Sequence, residues 1–132
     1  MPESNPSARI VLTTAANLDE ARNLGRTLVE EGLAACATLI PAVESVYRWK
    51  GQLESSHETM LLLKTAADQL PALETRLHAL HKYETPEFLV LDVAAGSPAY
   101  LQWMLGSLTD SVDPVVPPSS VSQEMQSNSV TD

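Results

Sequence analysis

The feature that limits this chain most is a set of strand-like segments that are apolar at consecutive positions. Ile10-Val11-Leu12, Met60-Leu61-Leu62-Leu63 and Phe88-Leu89-Val90-Leu91 lack the polar residue at every second place that a half-covered strand would carry. Successive side chains of a strand point to opposite faces, so these runs put apolar groups on both faces of a sheet. A chain of 132 residues has room for one domain. One sheet with its helices on one side leaves its other face bare, and an apolar patch of that extent is rarely left in water. The residues alone therefore lead to the expectation that other copies of the chain cover the second face.

The order of elements supports a single sheet. Residues 8–14 read as a strand, and Asn17 with Glu20 three places later starts a helix. Leu18, Ala21, Leu24, Leu28 and Val29 recur at helical spacing before Gly32 stops it. Residues 33–49 are β-rich, and Pro41 within them predicts an edge strand or a bulge. Lys50-Gly51-Gln52 is a turn, and the chain returns as a strand over 53–65. Asp68 is the expected cap of a second helix with Pro71 in its first turn and Leu70, Leu73, Leu77 and Leu80 as its buried stripe. A fourth strand over 88–93 and a last helix from Ser97-Pro98 to Leu108 complete the list. This is the β-α-β-β-α-β order of the ferredoxin-like split βαβ fold, an α+β class with an antiparallel sheet, plus a C-terminal helix. Residues 1–7 are expected to be a disordered start, 8–108 the folded domain and 109–132 a disordered acidic tail carrying Asp110, Asp113, Glu124 and Asp132.

Charge and cysteine content narrow the function. With net charge −9 and no basic cluster, the chain is a poor partner for nucleic acid. Cys36 is the only cysteine, so no intrachain disulfide forms and a reducing compartment fits best. The first residues have neither a basic nor an apolar leader region, and no apolar run reaches the ~20 residues that span a bilayer. A cytoplasmic protein without membrane attachment is expected. No Gly-rich phosphate loop, nucleophile elbow or His-Glu-x-x-His is present, so no catalytic residue is assigned and an enzyme is not expected.

Several blocks together resemble a known family. Glu31-Gly32-Leu33-Ala34-Ala35-Cys36, Tyr47-Arg48-Trp49-Lys50-Gly51, Leu62-Leu63-Lys64-Thr65 and His81-Lys82-Tyr83-Glu84-Thr85-Pro86-Glu87 stand in the order and spacing of the CutA divalent-cation tolerance family, and Leu101-Gln102-Trp103 is similar to its closing motif. The chain has Thr38 where members often have Asn and Lys82 where proline is common. The resemblance implies a ferredoxin-like homotrimer, similar to the PII signalling proteins, that takes part in metal-ion tolerance. It also implies that Cys36 lies at a metal site, with copper the first candidate. It places Trp49, Lys64, Tyr83, Glu84, Glu87 and Trp103 around a cleft between subunits.

The residues leave two roles open at each of these places. A Cys36 thiolate is a soft ligand suited to copper, but a free cysteine is also a good small apolar residue for a strand. His78 and His81, three residues apart near the end of the second helix, could share one face and hold a metal, or complement the negative helix end. His81 belongs to the family motif and is the second metal candidate. The cleft residues could bind a small polar ligand or an unknown protein partner, or form an ion-pair network that fixes the interface.

Overall fold

The computed structural model describes residues 7–109. The expectations for 1–6 and for the acidic segment from 110 onward lie outside the described residues. The elements are β1 (Ala8–Ala15), α1 (Leu18–Glu30), β2 (Cys36–Trp49), β3 (Gln52–Ala66), α2 (Leu70–Leu80), β4 (Leu89–Asp92) and α3 (Pro98–Gly106). They build one four-stranded sheet in the order β2-β3-β1-β4 with every neighbouring pair antiparallel. That is the ferredoxin-like arrangement expected from the element order.

Local chemistry sets the boundaries. The Asn17 side chain accepts a hydrogen bond from the Glu20 N–H and caps α1. Gly32, at φ 73°, reverses the chain after it. Lys50 and Gly51 both have positive φ, 51° and 80°, and make a two-residue hairpin loop between the paired Trp49 and Gln52. β2 is an edge strand, and its pairing with β3 is interrupted between Ile40 and Val43, at Pro41 and Ala42. Pro41 thus marks both of the features expected of it. Asp68 does not cap α2. It lies within a 3-10 turn, Ala67–Gln69, that leads directly into the helix, and no side chain caps the start. Ser97 does cap α3, accepting from the Tyr100 N–H, and that helix ends at Gly106, two residues earlier than expected.

α1 and α2 lie on one face of the sheet. Val11, Leu61 and Leu63 from the strands meet Leu24, Leu28, Leu73 and Leu77 from the helices, and these seven form most of the buried core. A bidentate pair between Arg76 and Glu31, at 2.8 and 2.9 Å, ties α2 to the end of α1. Its hydrogen bond and charge hold the Glu31 carboxyl below the usual range.

The opposite face follows from the register, because residues directly across an antiparallel pair share a face. One row is Thr38, Leu62, Leu12 and Leu89; the next is Cys36, Lys64, Ile10 and Leu91; a third is Ile40, Met60 and Thr14. Ile40, Leu89 and Leu91 on this face are 43, 56 and 46% exposed. α3 covers only the end near Ala8, where Leu101 and Met104 bury against Ala8 and Ala35. The two-sided apolar character of the strands is therefore real, and most of the second face is open in one chain. Beyond β1, residues 43–49 and 52–58 continue as a two-stranded arm reaching about 20 Å past the sheet.

Candidate metal and ligand site

Cys36 is the first residue of β2, directly across from Lys64 on the open face, and is half-buried. Its Sγ lies 3.8 Å from the Lys64 ammonium and 3.7 Å from the Thr38 hydroxyl, and Lys64 donates to that hydroxyl at 3.1 Å. A thiol placed here is accessible, unlike one sunk into the core.

His78 and His81 are not brought to one face. α2 ends at Leu80, and His81 follows in an extended conformation, while exposed His78 lies against Phe88 with ring centroids 6.4 Å apart. No glycine or proline marked this helix end in the sequence, which is why the spacing looked helical. The His81 Nδ1 accepts from the Tyr83 N–H at 3.0 Å. Its proton therefore sits on Nε2, which donates to the Thr14 carbonyl at 2.6 Å. Both ring nitrogens are engaged, so a metal at either would displace a hydrogen bond.

Nor does one chain bring Cys36 and His81 together. Thr14 is four residues along β1 from Ile10, which shares a row with Cys36, so the two lie about 13 Å apart along the strands and two strand spacings across. Among the described residues no group of three or more His, Cys, Asp or Glu could hold a metal ion. Within a single chain Cys36 contributes one donor, and a full coordination sphere is not assembled.

A second cluster surrounds Tyr83. Its ring packs against His81 with centroids 4.7 Å apart and planes tilted by 43°, and its hydroxyl donates to Glu58 at 2.8 Å. Neither the strand pattern nor the family motif pointed to Glu58. Glu20, read as half of a capping box, turns its carboxylate to Lys82 at 4.0 Å instead. An open depression beside it is lined by Ala15, Glu20, Asn23, Leu24, Leu80, His81 and Lys82. Loss of hydration pushes the Tyr83 phenol well above its usual range, with the Glu58 hydrogen bond and then the nearby carboxylate charges adding to the effect. A raised phenol pKa means the folded state holds this proton more tightly than the unfolded chain. The stabilisation is complete below the unfolded value of about 10 and is lost as pH rises above it. Unfolding by urea at a series of alkaline pH values is expected to show wild type losing more stability above pH ~10 than Tyr83→Phe, which has no phenol to titrate.

The other cleft residues are spread over the chain. Trp49 is 55% exposed at the base of the hairpin turn, Glu84 is exposed and Glu87 half-buried in the loop before β4. Trp103 packs beside α3's apolar cluster, 5.4 Å from Tyr100, and its buried Nε1 finds no acceptor among the described residues. Among the described residues no hydrogen bond, ion pair or ring contact links Tyr83, Glu84 or Glu87 to Lys64, Trp49 or Trp103. A cleft containing all six is not formed by one chain.

The pattern over residues 9–107 matches the family described as CutA1 divalent ion tolerance protein. The chain belongs to that family. The divalent-cation tolerance protein CutA of Escherichia coli O139:H28 is 44% identical over 105 residues, which covers 80% of this chain and 94% of the relative. The crystal structure of CutA from Xylella fastidiosa superposes with a TM-score of 0.75 at 40% identity, over 77% of this chain and 98% of that one. A CutA from Synechococcus elongatus PCC7942, solved in complex with a Bis-Tris molecule, superposes with a TM-score of 0.76 at 38% identity, covering 82% and 100%. The family and the Escherichia coli relative are both named for tolerance of divalent cations. In the chain itself, no helix among the described residues is long and apolar enough to cross a membrane.

Proposed function

We propose that this CutA-family chain acts as a homotrimer in the response to divalent metal, and that it binds copper before other ions through Cys36. The observation that carries the metal reading is the half-buried thiol at the edge of an open sheet face, beside a lysine and a threonine rather than within the core. A thiolate is a soft ligand that suits copper better than the oxygen donors around it. Since no group of three metal-ligating side chains is assembled among the described residues, the remaining ligands come from solvent or from another subunit. The assembly is supported by the apolar open face and by the trimeric state that the family resemblance implies. A reducing compartment, the cytoplasm, keeps the thiol available.

Titration calorimetry with copper and zinc, using a reductant that does not chelate, tests the site. Copper is expected to bind with a stoichiometry near one per subunit. Cys36→Ser should weaken binding at least ~10-fold, because a hydroxyl is a far poorer copper ligand than a thiolate. His81→Ala should cost less, and His78→Ala least. Unchanged copper affinity in Cys36→Ser would remove the cysteine-centred site.

A second reading is a non-catalytic, PII-like trimeric scaffold that binds a small molecule or a partner protein in its clefts. It is favoured by the open depression beside His81 and Lys82, and by the Bis-Tris molecule held by the Synechococcus relative. Binding of that kind should depend on Lys64, Glu84 and Glu87 and be indifferent to Cys36→Ser.

A further inference from the structure

Lys64 is the one charged residue in the rows of the open face. Across the sheet it is in register with Ile10 and Cys36, and Leu62 and Leu91 complete its surroundings on that face. Its ammonium has three donors, of which the structure accounts for contacts with the Thr38 hydroxyl and the Cys36 thiol, both neutral groups. Among the described residues no carboxylate lies within ion-pair distance of it. In one chain this costs little, because water reaches the half-buried side chain. Once the face is covered, the same ammonium loses that water, and a buried charge without a counter-charge is strongly destabilising.

We propose that a glutamate from a second copy of the chain neutralises Lys64 when the open faces close. The proposal rests on the assembly reading above and names the polar contact that the assembly requires. Among the described residues, the first candidates are the glutamates that nothing else engages. Asp92, Asp19, Glu31 and Glu20 already face a cation, Arg9, Arg22, Arg76 and Lys82, while Glu58 and Glu44 accept hydrogen bonds from the neutral hydroxyls of Tyr83 and Ser55. Glu30 and Glu74 lie on α1 and α2, behind the sheet, and Asp68 lies in the turn that leads into α2. Glu54, Glu84 and Glu87 remain, with no ion pair or side-chain hydrogen bond among the described residues. Glu54 is on the projecting arm, at a position of β3 with the same parity as Lys64 but ten residues further along, about 33 Å, so it reaches an ammonium only in another molecule.

The test is urea dissociation of the full-length oligomer, followed by light scattering, for Lys64→Met, for each of Glu54→Gln, Glu84→Gln and Glu87→Gln, and for the double variants. Methionine keeps the length and apolar stem of lysine. Pairing predicts that Lys64→Met lowers the association constant ~100-fold or more, because it strands the partner's carboxylate. One glutamate variant should show a similar loss, and its double with Lys64→Met should be no worse than either single change. Two results overturn the pairing while leaving the assembly intact: an oligomer as tight or tighter with Lys64→Met, or a weaker one in which no glutamate couples to Lys64. A wild-type protein that is monomeric at micromolar concentration removes the assembly itself, which is a separate outcome.

Discussion

Wild-type protein at micromolar concentration is expected to scatter light with three times its 14.3 kDa chain mass, and Leu62→Glu is expected to reduce that to one chain. Leu62 lies in the row of the open face that also holds Leu12 and Leu89. A carboxylate there would be buried without a partner in every subunit, at a cost of roughly 3–5 kcal/mol each. The adjacent Leu61 gives the contrasting result. It is fully buried between the sheet and α1, so Leu61→Glu should abolish folding of the subunit itself. Circular dichroism separates the two outcomes: Leu62→Glu keeps its helical signal as a monomer, and Leu61→Glu loses it. A Leu62→Glu protein that remains at the wild-type mass would show that the open face is not where the copies meet.

The second large effect is expected at Gly32. Its φ of 73° lies in the left-handed region, where a side chain costs about 1–2 kcal/mol. A methyl group at this position would also meet the side chain and backbone nitrogen of Thr109. That residue donates from its N–H to the Gly32 carbonyl at 2.8 Å and from its hydroxyl to the Glu31 carbonyl at 2.9 Å, and its own carbonyl accepts from the Gln69 side chain. Gly32→Ala must therefore disturb the capping of α1 as well as strain the turn, for a loss of about 2–4 kcal/mol in urea unfolding. Thr109→Gly in the same chain removes the side-chain part of the collision but neither the contact with the backbone nitrogen nor the left-handed cost, and should recover part of the loss. No loss in Gly32→Ala would mean that the turn can relax into another conformation.

Much of this fold is legible because its determinants are local. The Asn17 cap, the Gly32 stop, the Lys50-Gly51 turn and the Ser97 cap each act through one or two residues, and each stands where the sequence places it. The apolar runs showed that both faces of the sheet need covering, but not which of Leu61 and Leu62 faces which way. That choice depends on register, and a shift of one residue exchanges the faces. The site was less legible for the same reason. Cys36 and Lys64 are 28 residues apart and meet only through the β2–β3 pairing, and Glu58 reaches Tyr83 across 25 residues. His81 stands past the helix end with its ring on the Thr14 carbonyl, 67 residues away, a contact that no periodicity announces.

The irregular pairing at Pro41 and Ala42 has a consequence for how this chain can vary. From Ile40 to Val43 β2 advances three residues while β3 advances two, from Met60 to Glu58. That extra residue changes the parity of everything beyond it. Cys36, Thr38 and Ile40 look toward the open face from even positions, whereas Val43, Ser45, Tyr47 and Trp49 share a side with Glu58, Ser56, Glu54 and Gln52 from odd ones. Removing Pro41 or Ala42 would let the two strands advance equally, so Val43 would still pair with Glu58, and Tyr47 and Trp49 would keep their side. A single deletion at 41–42 is therefore expected to be absorbed without moving any side chain beyond Val43 to the other side of the arm.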